Sequence, residues 1–163
     1  MKSTLRKFLR PSKFSYWYSV PFTEVKDAVE NAIKKDSSFM TSKDIAGQFL
    51  DHSTFYFQLE TSPFWISPIF NSDLTGRIGE LSESETNVEV VIRSNIFLIA
   101  LFYILLSIGL CVTLVGFIND TRLIFSGILT IVIFSGGCLG LGNMLKASLH
   151  ERYLIYIHKL FLR

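Results

Sequence analysis

Charge is scarce in this chain: 18% of its 163 residues are Asp, Glu, Lys or Arg, against roughly 25% in an ordinary soluble domain. It has two cysteines, too few for a disulfide scaffold. The net charge of +2 excludes a strongly basic nucleic-acid binder, and the 49% hydrophobic content excludes a disordered chain. The phosphate-loop pattern G-x-x-x-x-G-K is missing, as are G-x-S-x-G and H-E-x-x-H. Only three histidines occur, His52, His150 and His158. His52 falls in a turn, and His150 and His158 stand eight apart on one helix, too far to share a metal without outside ligands. No catalytic, cofactor-binding or metal residue emerges, so neither an enzyme nor a cofactor is expected, and nucleic acid is not expected as a partner.

What the chain has instead is apolar length, with a mean hydropathy of +0.38. Residues 95–118 and 123–144 carry no charge at all. A bilayer core of about 30 Å takes roughly 20 apolar residues as helix, so either run can span it. The Asn119–Arg122 connection makes the two spans antiparallel neighbours. Five basic residues precede residue 15, Arg93 precedes the first span, and Lys146, Arg152, Lys159 and Arg163 follow the second. That distribution predicts cytoplasmic termini in a bacterial inner membrane, with the lipid bilayer as partner. The basic residues 1–13 contain no apolar signal region. They read either as a segment drawn to anionic lipid or as a solvated tail.

Residues 14–93 alternate between strand and helix periods. Phe14, Tyr16, Tyr18, Val20 and Phe22 fall at every second position, as in a half-buried strand. Thr23 can then cap a helix whose Val25, Ala28, Val29, Ala32 and Ile33 form one stripe. Asp44–Phe49 and Asp73–Ile78 share a pattern of aspartate, apolar, any, glycine, polar, apolar, each leading into another alternating segment. Two successive hairpins are predicted, with Gly47 and Gly76 marking a bulge or a close approach, plausibly by the Thr23–Lys35 helix. The expected fold is an α+β membrane protein: about five antiparallel strands in the order β-α-β-β-β-β with one covering helix, then a transmembrane hairpin (94–144) and a C-terminal amphipathic helix (145–163).

Three features remain. Thr61–Ser72 holds Phe64, Trp65, Ile66, Ile69 and Phe70 between prolines. These five can fold over a sheet edge, dip into a membrane interface, or line a ligand or partner groove. Gly136 and Gly140 make a G-x-x-x-G pair, matched on the first span by Ser107 and Cys111 and by Gly109 and Thr113. Such small residues serve packing within one hairpin or a homo-oligomer of hairpins. Cys111 and Cys138 lie in different leaflets and are not expected to meet. After Met144, Leu145, Leu149, Tyr153, Tyr156, Ile157 and Leu160 share a helical face, with Lys146, His150, Arg152, Lys159 and Arg163 mainly elsewhere. That helix reads as lying in the membrane interface, with docking on the sheet as the competing reading.

The run from Asp44 to Asn95, with its paired glycines and its ending TNVEVVIRSN before a membrane hairpin, resembles small uncharacterised bacterial inner-membrane proteins that join an N-terminal α+β domain to two spans. The resemblance carries no activity and no site residues. The sequence therefore points to a non-enzymatic membrane-anchored module that binds a protein or a small ligand. The alternative is an oligomerising effector that perturbs or permeates the bilayer.

Overall fold

The computed structural model describes residues 2–34, 45–59 and 72–161. Helix α1 (Lys2–Leu9) is followed by strand β1 (Ser12–Tyr18) and helix α2 (Phe22–Lys34). Four strands come next: β2 (Ile45–Phe49), β3 (Thr54–Leu59), β4 (Asp73–Ser82) and β5 (Glu85–Arg93). All pair antiparallel in the order β1-β5-β4-β3-β2, so the first strand closes on the last. The α+β class and the five-strand antiparallel sheet agree with the sequence reading. The alternation survives as register: Phe14 faces Val90, Tyr16 faces Val88, Ile78 faces Val88 and Leu74 faces Ile92. One face of the sheet thereby collects the apolar residues that helices must cover.

Two helices cover that face rather than one. Helix α2 brings Val25 and Val29, both fully buried. The second cover is the end of the chain, where Leu145, Leu149, Tyr153 and Ile157 are buried in the same core as Phe55, Phe57, Leu74 and Val90. The expectation that this last helix lies in a membrane interface is thus corrected. A five-strand face is wider than one 13-residue helix covers, and the apolar stripe of the C-terminal helix fills the remainder.

Gly47 and Gly76 do mark close approaches, but by neighbouring-strand side chains rather than by α2. In register, Gly47 faces Phe57 and Gly76 faces Phe55. A Cβ on Gly76 would lie 2.5 Å from either Cε of the Phe55 ring, and one on Gly47 would lie 2.9 Å from Cε1 of Phe57. Each ring lies across the bare backbone of the adjacent strand.

Beyond β5 the chain enters α3 (Ile96–Asn119), capped by Asn95, whose side chain accepts from Phe97 N at 2.8 Å. Asp120 turns the chain and caps α4 (Thr121–Thr130), accepting from Arg122 N at 2.9 Å. A π-helical turn (Ile131–Ser135) joins α4 to α5 (Gly136–Tyr156), giving one rod of 36 residues. That rod runs through Met144 without a break and carries its own C-terminal third onto the sheet. Both hairpin helices are long and apolar enough to cross a membrane, and only 17% of the most apolar window of either is buried.

The two helices of the hairpin meet at Gly109 and Thr113 on the first span, one of its two expected pairs, and on the second at Gly127 rather than at Gly136 or Gly140. A Cβ on Gly127 would lie 2.6 Å from Thr113 N, and one on Gly116 would lie 2.6 Å from Ile124 N, so backbone packs on backbone. At Gly136 and Gly140 an added Cβ would meet nothing within 4 Å. Ser107 and Cys111 are exposed on α3. The structure therefore does not bring Gly136, Gly140, Ser107 and Cys111 into the contact between the two helices. Both cysteines are free. In the π-helical turn the buried Ser135 Oγ has no hydrogen-bond partner among the described residues.

Candidate functional site: a tyrosine–histidine seam

Strand β1 lies at a sheet edge, and its alternation aims Phe14, Tyr16 and Tyr18 at the inner face. On α5 the spacing of His150 and Tyr153 places both on the stripe that meets β1, and a 3-10 turn (His158–Leu160) adds His158. Five phenol and imidazole groups meet where these elements touch. The Tyr16 hydroxyl lies 2.5 Å from His150 Nε2. The Tyr18 hydroxyl lies 3.1 Å from the Tyr153 hydroxyl and 3.0 Å from His158 Nδ1. The His150 ring stacks on Phe14 with centroids 3.9 Å apart and planes at 13°. Tyr16 touches the rings of Tyr153 and His158 at 5.3 and 4.8 Å.

Proton positions follow from this geometry. With neutral His158 carrying its proton on Nε2, Nδ1 accepts from Tyr18, which frees the Tyr18 oxygen to accept from Tyr153. A directed chain, Tyr153 to Tyr18 to His158, results. In the second branch Tyr16 donates to His150 Nε2. Burial holds the phenols protonated. It raises Tyr18 to about 12, raises Tyr153 further, and raises Tyr16 as well. Burial also lowers His150 below the ordinary imidazole value, with the charge of His158 adding to the effect. At neutral pH the three phenols and His150 are therefore uncharged donors and acceptors. Tyr18 and Tyr153 are sealed, whereas Tyr16, His150 and His158 remain half-buried and within reach of a small molecule.

The depressed His150 has a consequence for pH. The unfolded state takes up its proton at the ordinary imidazole value near 6.5, and the folded state only below that. Stability is therefore full above pH 6.5 and is lost as pH falls from there toward the folded value. We expect the urea midpoint to drop between pH 7 and pH 5.5, and the drop to shrink in His150→Gln. An equal drop in the variant would assign it to other groups.

A concavity of about 260 Å³ lies on the opposite sheet face and is lined by Ala46, Gly47, Gln48, Tyr56 and Gln58. Its Tyr56 hydroxyl donates to Asp73 at 2.7 Å, and burial followed by the Asp73 carboxylate raises that phenol. No cluster of three or more metal-binding side chains occurs among the described residues.

Sequence reasoning passed over the tyrosine–histidine seam. His52 is exposed in its turn, as expected, with its Nδ1 3.2 Å from Lys26 Nζ. His150 and His158 each find a tyrosine more than 130 residues away in sequence. The available signal was two aromatic stripes, at period two on β1 and at helical spacing near the C-terminus. The other candidates, Phe64, Trp65, Ile66, Ile69 and Phe70, lie outside the described residues.

No protein-family model matches the chain, and no curated protein matches it. Among solved structures it is similar to CalU16 from Micromonospora echinospora, at 15% identity over 83% of this chain and 88% of that one, with a TM-score of 0.36. A protein of Thermobifida fusca is similar at 9% identity over 52% and 73%, with a TM-score of 0.36. The Zhui aromatase/cyclase from Streptomyces sp. R1128 is similar at 10% over 51% and 66%, with a TM-score of 0.31.

Proposed function

We propose that the α+β unit is a ligand-handling domain with enzyme-like chemistry, and that Tyr16, Tyr18, His150, Tyr153 and His158 are its working groups. The observation that supports this reading is the convergence of three phenols and two imidazoles on one seam, in two hydrogen-bonded branches. A packing contact alone needs none of those polar atoms, since buried polar groups stabilise only when fully paired. The half-buried rim of Phe14, Tyr16 and His150 offers flat aromatic faces beside a phenol and an imidazole. That chemistry suits a planar ring bearing carbonyl or hydroxyl oxygen. A bound carbonyl could accept from Tyr16 while His150 takes or returns a proton near neutral pH.

Binding of 2-hydroxy-1,4-naphthoquinone to the purified full chain, read by quenching of intrinsic fluorescence, tests the reading. Tyr16→Phe and His150→Gln should each weaken saturable binding by about tenfold, the worth of one hydrogen bond. Absence of binding, or binding that both variants keep unchanged, would leave the seam as a packing contact and end the proposal.

The helical hairpin supports a separate reading of its surroundings. Phe117, Ile118, Phe125 and Val132 are 72%, 84%, 75% and 65% exposed, within an apolar surface that runs the length of both helices. Monomers in water rarely expose patches beyond a few hundred Å². Helix α3 spans about 36 Å at 1.5 Å per residue, comparable to the hydrocarbon of a lipid bilayer. We infer that residues 96–118 and 123–144 lie in a bilayer. Retention in neutral phosphatidylcholine vesicles through an alkaline carbonate wash is the expected outcome, and release by the wash would refute it.

A further inference from the structure

The base of the hairpin combines an apolar and a cationic surface in a fixed arrangement. Helix α1 lies across it, with Phe8 fully buried against Phe102 at a ring distance of 5.7 Å. A Cβ on Gly142 would lie 2.5 Å from Cδ2 of Phe8, so α5 is notched to receive that ring. Lys146, only 5% exposed, is committed wholly to this joint. Its ammonium donates to the carbonyls of Lys7, Phe8 and Arg10 at 2.7, 3.2 and 2.7 Å. Ser94 Oγ donates to Phe8 O at 2.7 Å from the start of the hairpin. The last carbonyls of α1 are thereby satisfied by groups of the hairpin itself, and the helix cannot swing away.

With Phe8 and the carbonyls turned inward, Arg6, Lys7 and Arg10 are exposed. No Asp or Glu occurs before Glu24 to offset them. Immediately above them Ile96 and Phe97 begin the exposed apolar surface. Cations at the edge of such a surface match one partner chemistry, an amphiphile with an anionic head and hydrocarbon tails. A free phosphate has no use for the apolar half, and an acidic protein would not require it.

We propose that α1 and Arg10 form a collar that binds the headgroups of anionic phospholipids, with Lys146 and Phe8 as the residues that fix the collar to the hairpin. The proposal rests on the bilayer placement of the hairpin. Each basic residue near a charged surface is worth about a fivefold change in affinity, so three act on the order of a hundredfold together.

The test uses the full chain in neutral detergent micelles, titrated with dioleoyl phosphatidylglycerol or dioleoyl phosphatidylcholine while thermal unfolding is followed. A ligand that binds only the folded state raises the midpoint in a saturable way. The expected result is a rise at about a hundredfold lower concentration of the anionic lipid than of the neutral one. The Arg6→Gln, Lys7→Gln, Arg10→Gln triple variant should bring the two lipids together while keeping the same midpoint without lipid. If both lipids act alike on the unaltered chain, or if the triple variant keeps the preference, the collar is overturned. A rise of the same size with soluble glycerol phosphate would also overturn it, by assigning the site to phosphate alone. Release from neutral vesicles in the carbonate wash would instead defeat the bilayer placement, so the two failures are told apart.

Discussion

Replacing Gly76 by alanine is expected to lower the unfolding free energy of the α+β unit by about 2–3 kcal/mol. In an ordinary strand the change would help slightly, because alanine loses less backbone entropy on folding than glycine. Here the new methyl would enter the ring of Phe55. That ring has nowhere to retreat. Phe55 is fully buried, with Phe57 at a ring distance of 5.0 Å and Phe49 at 6.2 Å. β4 cannot shift either, since it is paired on both sides, to β3 and β5. Gly47 lies under Phe57 in the same way, but β2 is an edge strand and can move outward. Gly47→Ala should therefore cost less than Gly76→Ala. A double-mutant cycle identifies the cause: Phe55→Leu should recover about 1–2 kcal/mol of the Gly76→Ala loss. Urea unfolding of the four proteins is the measurement. A neutral Gly76→Ala, or strict additivity with Phe55→Leu, would show that the ring does not press on Gly76.

That pair also shows where a sequence stops being readable. The alternation of Phe55 and Phe57, of Val88, Val90 and Ile92, and of Phe14, Tyr16 and Tyr18 is a local property, and each stretch is a strand. The stripe of α2 is local too, and Val25 and Val29 are buried as it requires. Gly47 and Gly76 announce that something comes close, but what comes close depends on strand register, which no short window contains. The tyrosine–histidine seam is harder still. Its hydrogen bonds join residues 134 to 140 positions apart, across a whole hairpin inserted between β5 and the docking portion of α5. The apolar runs invite a cut at Met144 between hairpin and tail. The structure instead continues one helix through it, so Leu145, Leu149, Tyr153 and Ile157 serve the sheet. Basic residues 1–13 look like a tail because the partners of α1, Gly142 and Lys146 among them, also lie far along the chain.

Tyr153 is the residue on which docking of the C-terminal helix depends most. It is fully buried and the largest of the sealed side chains. Its ring meets Tyr16, and its hydroxyl meets Tyr18. Tyr153→Ala should cost about 3–5 kcal/mol, the range for deleting a large buried aromatic whose site cannot fully collapse. Tyr153→Phe separates the hydroxyl from the ring. It removes one hydrogen bond and leaves Tyr18 paired with His158, so about 1 kcal/mol is expected. The loss in the alanine variant is local in origin, because among the described residues the stripe has three other buried members, Leu145, Leu149 and Ile157, to hold the sheet. The helix should then open independently of β2–β4, and trypsin should cut at Arg152 and Lys159 far faster than in the unaltered chain. Opening would also part His150 from Tyr16 and His158 from Tyr18, so the variant should lose the His150-dependent drop of stability below pH 6.5. Cleavage at those two sites that is no faster in Tyr153→Ala, with the acid response intact, would show that the rest of the stripe holds the helix without it.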